Sequence, residues 1–152
     1  MPGTALESPP GANPNDIAMA DEIVYKTGMI PDIDLVIALY IDAGLKRPVE
    51  DRERMKKMFL NSNLVVTAWH KDVLIGISRT MTDYGYWSYL ADLAVRPDYQ
   101  KRGIGRALIA ETKVRAGNDC TLLLLAAPAA LTYYQQVGFR NLTNAFAADR
   151  KT

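Results

Sequence analysis

Hydrophobic and polar positions change their spacing several times along the chain, and each change predicts a new element. The first half reads as a strand, two helices and two strand-like runs joined by a short polar turn, as in a β-hairpin. The second half alternates strand and helix, and the tail 139–150 favours one or two final strands. The predicted elements are a strand in 22–30, helices in 31–45 and 48–62, the hairpin in 63–83, a strand in 86–99, a helix over 104–116, a strand in 120–128 and a short helix in 128–138.

Proline and glycine mark the predicted boundaries. Pro31 suits a helix start, Gly44 suits a helix exit, and Pro97 ends a strand because proline cannot donate to the ladder. Gly76, inside the second hairpin strand, predicts a bulge or a close backbone approach. The apolar stripe expected on the helix over 104–116 comprises Ile104, Ala107, Leu108, Ala110 and Val114.

The order of these elements predicts the fold class. A strand, helix and strand over 86–127 form a parallel, right-handed unit, whereas the preceding hairpin is antiparallel. We therefore expect an α/β (α+β) fold with a mixed central sheet of about six to seven strands and helices on both faces. Residues 1–20 are rich in proline, glycine and asparagine, which predicts a disordered tail ahead of one domain over 21–152.

Composition excludes several function classes. The net charge of +1 argues against a dedicated nucleic-acid binder, and no apolar run reaches the roughly 18 residues of a membrane span. The N-terminus lacks the pattern of a signal peptide, so we expect a cytoplasmic protein. Cys120 is the single cysteine, and its apolar surroundings favour an inert, buried strand residue. His70 is the single histidine, placed in the hairpin turn, so no metal site is expected.

Two glycines one residue apart, flanked by basic side chains, lie between a strand and a helix in "VRPDYQKRGIGRALI", residues 95–109. A helix N-terminus offers unpaired N–H groups, and glycine lets an anion approach them closely. The loop over 100–106 therefore resembles a cradle for a pyrophosphate. The loop of nucleotide triphosphatases is absent, and Leu108 stands where the dinucleotide fingerprint requires glycine. A tight turn with incidental arginines is the alternative.

Two motifs carry a resemblance to a known family. The phrase "LAVRPDYQKRGIGRAL" resembles the acyl-coenzyme A loop of the GCN5-related N-acetyltransferase (GNAT) superfamily, whose signature is Q/R-x-x-G-x-G/A. The phrase "AALTYYQQVGF" resembles the family's A-x-x-F-Y-x-x-x-G-F segment. The two motifs stand in the family's order, and the resemblance covers about residues 22–146.

The resemblance implies the acyl-CoA N-acyltransferase fold, in which two parallel strands splay apart and the arm of acetyl-CoA enters the gap. The backbone of Leu93 and Val95 would bind the arm, and Tyr134 would be the acid that protonates the departing thiolate, unless it only packs. Tyr133 matches an aromatic residue that packs in the core. The loop residues that would hold the pyrophosphate are Gln100, Lys101, Arg102, Gly103, Ile104, Gly105 and Arg106.

The general base stays open. Some family members carry a glutamate at the position of Tyr89, so a water chain, Asp92 or Asp83 are the alternatives. Many members also carry an asparagine where this chain has Ala127, which weakens the expectation of an ordinary cofactor pose.

The favoured function is transfer of an acetyl group from acetyl-CoA to a primary amine of a small molecule or peptide. A protein lysine acetyltransferase and a non-catalytic acyl-CoA-binding module are the alternatives. The identity of the amine is not readable, because the aromatic residues at 84, 86, 87 and 89 suit either an acceptor pocket or packing. Homodimers are common among small enzymes, so a homodimer is possible here.

Overall fold

The computed structural model describes residues 22–151, so the predicted tail over 1–20 lies outside the described residues. Within that range the chain forms five strands, four α-helices and two short 3₁₀ turns, at Pro97–Tyr99 and Pro128–Ala130. In chain order the elements are β1 (Ile23–Lys26), α1 (Ile33–Ala43), α2 (Arg52–Leu60), β2 (Leu64–His70), β3 (Val73–Thr82), β4 (Trp87–Val95), α3 (Ile104–Ala116), β5 (Thr121–Leu124) and α4 (Leu131–Gln136).

The strands form one mixed sheet in the order β1-β2-β3-β4-β5. The first four strands are antiparallel neighbours, whereas β4 and β5 run parallel through the crossover helix α3. Each face of the sheet buries its own hydrophobic cluster. Helices α1 and α2 cover one face with Val36, Tyr40 and Phe59, and α3 covers the other with Ile104 and Leu108. The predicted fold class is therefore confirmed.

The predicted strand count is wrong, because the described residues hold five strands rather than six or seven. Residues 139–151 form no strand. Polar residues interrupt the alternation of this tail, and the Phe146 side chain is 98% exposed, so the tail has no apolar face to bury. As a result β5 is only half-buried, and not enclosed on both faces as its apolar sequence predicts.

Capping explains where the first two helices begin. The Asp32 carboxylate accepts a hydrogen bond from the Asp34 N–H, and the Asp51 carboxylate accepts one from the Arg54 N–H. Helix α1 ends at Gly44, which has the left-handed backbone that glycine favours (φ 70°).

Helix α3 has the predicted bounds, but its buried stripe differs from the expected one. Ile104 and Leu108 are buried as predicted, whereas Val114 is 73% exposed and Ala110 faces solvent. The buried stripe consists mainly of residues four apart on the helix. One of them, Thr112, is polar, and its buried hydroxyl lies 2.8 Å from the Ser78 hydroxyl of β3. The buried positions are Ile104, Leu108, Ile109, Thr112 and Ala116.

His70 and Cys120 do not lie where the sequence predicted them. His70 is the last residue of β2 rather than part of the turn, which consists of Lys71 and Asp72. Cys120 precedes β5 and is partly exposed, with its Sγ 3.8 Å from the Thr82 hydroxyl. The edge position of β5 explains why Cys120 is not buried.

Gly76 is the point at which α3 comes closest to the sheet. A Cβ at this position would lie 3.1 Å from Leu108 Cδ1 and 3.3 Å from Ile104 Cγ2. The β2–β3 register also shifts opposite Gly76, between Ala68 and Trp69. The bulge and the close approach predicted from this glycine are thus both present, and glycine is required so that α3 can pack at this distance.

We predict that Gly76→Val lowers the free energy of unfolding by about 1–3 kcal/mol, because the added methyl groups overlap Leu108 and Ile104. Chemical denaturation measures this loss. Shortening Leu108 to alanine in the same chain should recover part of it, since the two sites are in contact. The control is Gly85→Ala, whose new Cβ meets nothing closer than 3.9 Å and should leave stability unchanged. Equal effects of the valine and alanine changes would contradict the packing explanation.

Candidate functional site

Strands β4 and β5 stay together over only the first part of β4. Their last paired residues are Leu90 and Leu124, after which β5 ends while β4 continues to Val95. One residue, Ala91, is inserted at this point as a β-bulge, because Leu90 pairs with Thr80 and Asp92 pairs with Arg79. The second half of β4 therefore borders a cleft instead of a neighbouring strand.

The backbone beyond the bulge has groups that point into this cleft. The Arg96 N–H points back to β3, where it donates to the Ile75 carbonyl at 2.8 Å. Because successive N–H groups of an extended chain point to opposite sides, those of Val95 and Leu93 point toward the β5 side. Within the part of the chain that the structure describes, no strand pairs with that side beyond Leu90. The two residues predicted to bind an acyl-CoA arm are thus placed with suitable free backbone groups.

The predicted phosphate loop follows directly and ends at the N-terminus of α3. Gly103 is the residue before the helix, has a left-handed backbone (φ 79°), and places no side chain over the first helical amides. Space beside Gly103 is open, with no atom within 4 Å of a built Cβ. A diphosphate fits such an end, because the first turn of a helix has unpaired N–H groups and partial positive charge.

The polar side chains of the loop have different roles. Gln100 donates from its amide to the Val95 carbonyl at 3.0 Å, so it ties the loop to β4. Lys101 and Arg106 are exposed and can meet an anion from solution. The Arg102 guanidinium lies 5.1 Å from the centre of the Tyr99 ring, a cation–π contact that holds it beside the loop.

His70 supports the same loop from below, a role that sequence reasoning missed. Its Nδ1 is hydrogen-bonded to the Tyr99 hydroxyl, and its Nε2 is hydrogen-bonded to the Glu22 carboxylate. The three residues come from β2, the 3₁₀ turn and the residue before β1. No local sequence signal could have revealed this contact, since His70 and Tyr99 are 29 positions apart.

The two adjacent tyrosines of α4 face different surroundings. Tyr134 is half-buried, with its ring edge-on to Tyr133 and to Phe139 at centre distances of 5.2 and 5.6 Å. Burial, and to a lesser degree Tyr133, raises the pKa of Tyr134, so the hydroxyl keeps its proton at neutral pH. Tyr133 was expected in the core, but it is partly exposed. Its hydroxyl lies 3.3 Å from where a Cβ of Gly105 would be.

A cavity of about 580 Å³ lies between β5, α4 and the tail. Tyr134 lines this cavity, whereas none of the predicted cofactor-binding residues does. Of the two tyrosines, only Tyr133 has its hydroxyl against the loop. The structure thus brings together Leu93, Val95 and the loop over 100–106, whereas Tyr134 lines the cavity beside β5.

The Asp92 carboxylate, near the cleft, is buried and accepts three hydrogen bonds from side chains. The carboxylate is 1% exposed and accepts from Arg47 Nε and Arg79 Nε at 2.6 Å each and from the Tyr40 hydroxyl at 2.7 Å. Burial alone would raise the pKa of Asp92, but Arg79, Tyr40 and Arg47 outweigh it and hold the pKa below its usual value. Both oxygens are therefore occupied, which argues against Asp92 as a general base.

Asp83 is exposed, and one of its carboxylate oxygens is engaged by the backbone. Its carboxylate accepts from the backbone N–H groups of Gly85, Tyr86 and Trp87 at 2.7–3.1 Å, which closes the β3–β4 turn. These bonds, led by that of Gly85, lower the pKa of Asp83. It lies beside the start of β4, whereas the loop follows the end of that strand. The geometry favours neither carboxylate as base and leaves a water chain.

The aromatic cluster before β4 is largely exposed rather than packed. Tyr84, Tyr86 and Trp87 are 51%, 67% and 45% exposed, and the Tyr86 and Trp87 rings meet edge-on. Tyr89 lies within β4 and is half-buried. The three exposed residues stand at the end of β4 opposite the loop.

The described residues contain neither a cluster of metal ligands nor a membrane-spanning helix. Over residues 22–151 no three histidine, cysteine or carboxylate side chains gather as a metal ion would require. None of the helices in that same range is both long and apolar enough to cross a bilayer.

A mixed sheet that opens beside a helix with free N-terminal amides is the GNAT acyl-CoA N-acyltransferase fold. A family model described as an acetyltransferase (GNAT) domain matches residues 39–150, and the chain belongs to this family. The uncharacterized N-acetyltransferase ycf52 of Pyropia yezoensis is 27% identical over 101 residues, which cover 62% of this chain. The match spans only 56% of that relative's length.

Solved structures share the fold. A protein of unknown function from meticillin-resistant Staphylococcus aureus superposes with a TM-score of 0.72 and 27% identity, covering 85% of this chain and all of that one. The aminoglycoside N-acetyltransferase AAC(6')-Iy, solved in complex with CoA, has a TM-score of 0.66 and 14% identity. The match covers 86% of this chain and 95% of that enzyme, and at this identity it shows the fold alone.

We predict that Asp92→Asn destabilises the protein by about 3 kcal/mol or more at neutral pH, because it leaves the buried Arg79 without a counter-charge. The folded-state pKa of Asp92 is lowered, so its stabilising effect is present above the unfolded-state pKa of about 3.9 and is lost as the pH falls through the lower folded-state value. The gap between wild type and variant should be constant from neutral pH down to about pH 5 and should narrow below about pH 4.

Denaturant unfolding at several pH values measures this gap. The matched control is Asp34→Asn, which removes the exposed pair with Arg52 and should change stability little. A gap between wild type and Asp92→Asn that persists unchanged at acid pH would contradict the electrostatic explanation.

Proposed function

We propose that this protein transfers the acetyl group of acetyl-CoA to a primary amine of a small molecule or peptide. The observation that carries the proposal is the continuity of two features: the unpaired edge of β4 after Leu90 leads directly into the open N-terminus of α3. Membership of the GNAT family supports the proposal, and so does the shared fold with an aminoglycoside N-acetyltransferase that binds CoA.

The cofactor would supply the acetyl group as a thioester, which a neutral amine can attack. The N–H groups of Leu93 and Val95 would bind the arm, and a strand N–H directed at the thioester carbonyl would stabilise negative charge as it develops. The first-turn amides of α3 would hold the diphosphate, with Gly103 and Gly105 allowing close approach. Lys101, Arg102 and Arg106 would add charge from the loop, and Gln100 would hold the loop against β4.

Two proton transfers accompany the reaction. The departing thiolate needs a proton, and we assign this role to Tyr134, whose raised pKa keeps the hydroxyl protonated. The acceptor amine must lose a proton, and with Asp92 and Asp83 both engaged we assign its removal to water.

Two alternative functions are distinguished from the proposed one by experiment. A protein lysine acetyltransferase is distinguished by mass spectrometry of acetylated partner proteins, against thiol release with a panel of small amines. A non-catalytic acyl-CoA-binding module would bind tightly and transfer to none of them. Ala127 makes this module conceivable, since it can offer only backbone groups where many relatives have asparagine. A cytoplasmic location and a homodimer stay predictions.

We predict that coenzyme A raises the melting temperature of the wild type, because a ligand that binds only the folded state stabilises it by mass action. At a concentration a hundredfold above Kd, the free energy of unfolding should increase by about 3 kcal/mol. Gly103→Val should abolish this shift, because a branched side chain strains the left-handed backbone and stands at the anion site. Gly44→Val is the matched control: φ is similar (70° against 79°), and space is equally open. Gly44→Val should lower the free energy of unfolding about as much as Gly103→Val does, while its melting temperature should still rise with coenzyme A.

A well-folded wild type that shows no shift with coenzyme A would overturn the proposed function. Loss of the shift in Gly44→Val as well would mean that the effect of Gly103→Val reflects general destabilisation, and would remove the loop as its cause.

We predict that Tyr134→Phe lowers kcat by a factor of about 10²–10⁴, because the proton donor is lost, while the Kd for acetyl-CoA is retained. A thiol-release assay measures kcat, and calorimetry measures the Kd for acetyl-CoA. Tyr133→Phe is the neighbouring comparison, and we expect near-normal kcat. The reverse pattern would assign the acid to Tyr133, whose hydroxyl lies by Gly105, and normal kcat in both variants would remove tyrosine from the mechanism.

A further inference from the structure

The bulge at Ala91 is the point at which β4 leaves β5. The last β4–β5 pair is Leu90 with Leu124, and Ala91 is the residue that follows. A bulged residue falls out of the regular ladder and bends its strand, so its direction depends on what holds it. The position of the bulge therefore decides where the cleft begins and how far Leu93 and Val95 stand from β5.

Among residues 22–151, one side chain from outside the sheet binds this bulge. Arg47 lies in the loop between α1 and α2, and its Nη2 donates to the Ala91 carbonyl at 2.8 Å. Its Nε donates at 2.6 Å to the carboxylate of Asp92, the next residue of β4. Its Nη1 donates at 2.6 Å to the Lys46 carbonyl, which fixes the guanidinium to its own loop.

We propose that Arg47 is a positioning residue for acyl-CoA binding: it holds the Ala91 bulge so that the second half of β4 keeps its distance from β5. The inference rests on the proposed function, because it concerns the arm of the same cofactor. It goes beyond that function by assigning a role to a loop residue that no cofactor motif contains.

Charge balance alone does not account for Arg47. Asp92 already has Arg79, whose side chain is 8% exposed and whose guanidinium also donates to the Ser62 hydroxyl and lies over the Phe59 ring. The Tyr40 hydroxyl supplies a further hydrogen bond to the same carboxylate. Arg47 is a second cation for one anion, and its side chain is 31% exposed. The contact that only Arg47 provides is the one to the bulge carbonyl.

Lysine cannot reproduce this arrangement. The planar guanidinium presents several N–H donors in a fixed fork, so it can bind the Ala91 carbonyl and the Asp92 carboxylate together. A lysine ammonium is a compact charge that suits the carboxylate but not both groups at these positions. Arg47→Lys therefore keeps the charge beside Asp92 and removes the hold on the bulge.

The test separates the two halves of the cofactor. The probes are coenzyme A and 3′-phosphoadenosine 5′-diphosphate, which keeps the diphosphate but lacks the arm. Calorimetry on wild type should give binding of both. In Arg47→Lys and Arg47→Gln we expect the Kd for coenzyme A to rise by about tenfold or more, since a small displacement of β4 misplaces the arm's partners. The Kd for the diphosphate probe should not change.

Arg52→Gln is the control, because its exposed pair with Asp34 lies on α1 and α2 away from the cleft, and both Kd values should stay as in wild type. Circular dichroism checks that each variant is folded. If Arg47→Gln does not fold, the binding data of Arg47→Lys test the positioning role. Unchanged coenzyme A binding in a folded Arg47 variant, or equal loss for both probes, would overturn the positioning role. A wild type that binds neither probe would instead overturn the proposed function itself.

Discussion

Strand β4 is paired with β3 from Ser88 to Val95, apart from the bulge at Ala91, but with β5 only as far as Leu90, and the candidate site depends on this asymmetry. An unpaired strand edge inside a domain leaves backbone groups that need partners. Here the free edge continues into a loop whose helix also has unpaired amides, so two kinds of unsatisfied backbone group share one cleft. A ligand with an amide-containing arm and a diphosphate satisfies both, which is why the fold suits an acyl-CoA.

Such an edge needs support from the other side, and the cluster around Asp92 supplies it. A buried carboxylate is costly unless it is fully paired, and this one has two arginines and a tyrosine hydroxyl. The cluster fastens β4 to β3 through Arg79, to α1 through Tyr40 and to the following loop through Arg47. It thus fixes the strand on the face opposite α3, directly beside the bulge, without occupying the groups that face β5.

The sequence predicted what local patterning determines and missed what tertiary contact determines. The bounds of α3, the hairpin and the Gly76 approach follow from patterns over a few residues, and the two GNAT motifs are local phrases that resemble those of the family. His70, by contrast, looked like a turn residue and instead supports Tyr99 from a distant strand. The apolar letters of β5 predicted full burial, but burial of a strand depends on neighbours, and residues 139–151 do not pair with it. Tyr133 was expected in the core from its match to the family motif, and it is 37% exposed.

The acid–base groups of the site are unequal, and this shapes the proposed reaction. The pKa of Tyr134 is raised by burial, while those of Asp92 and Asp83 are lowered by their hydrogen bonds and charges. The protein therefore has a group that can give a proton at neutral pH, but the two carboxylates considered as bases bind protons poorly. In the proposed reaction, removal of the ammonium proton would then fall to solvent, and the cleft would favour amines that reach it already neutral. The chain would accordingly contribute mainly through binding, orientation and the proton for the leaving thiolate, which are the tasks that its backbone edge, loop and tyrosine can perform.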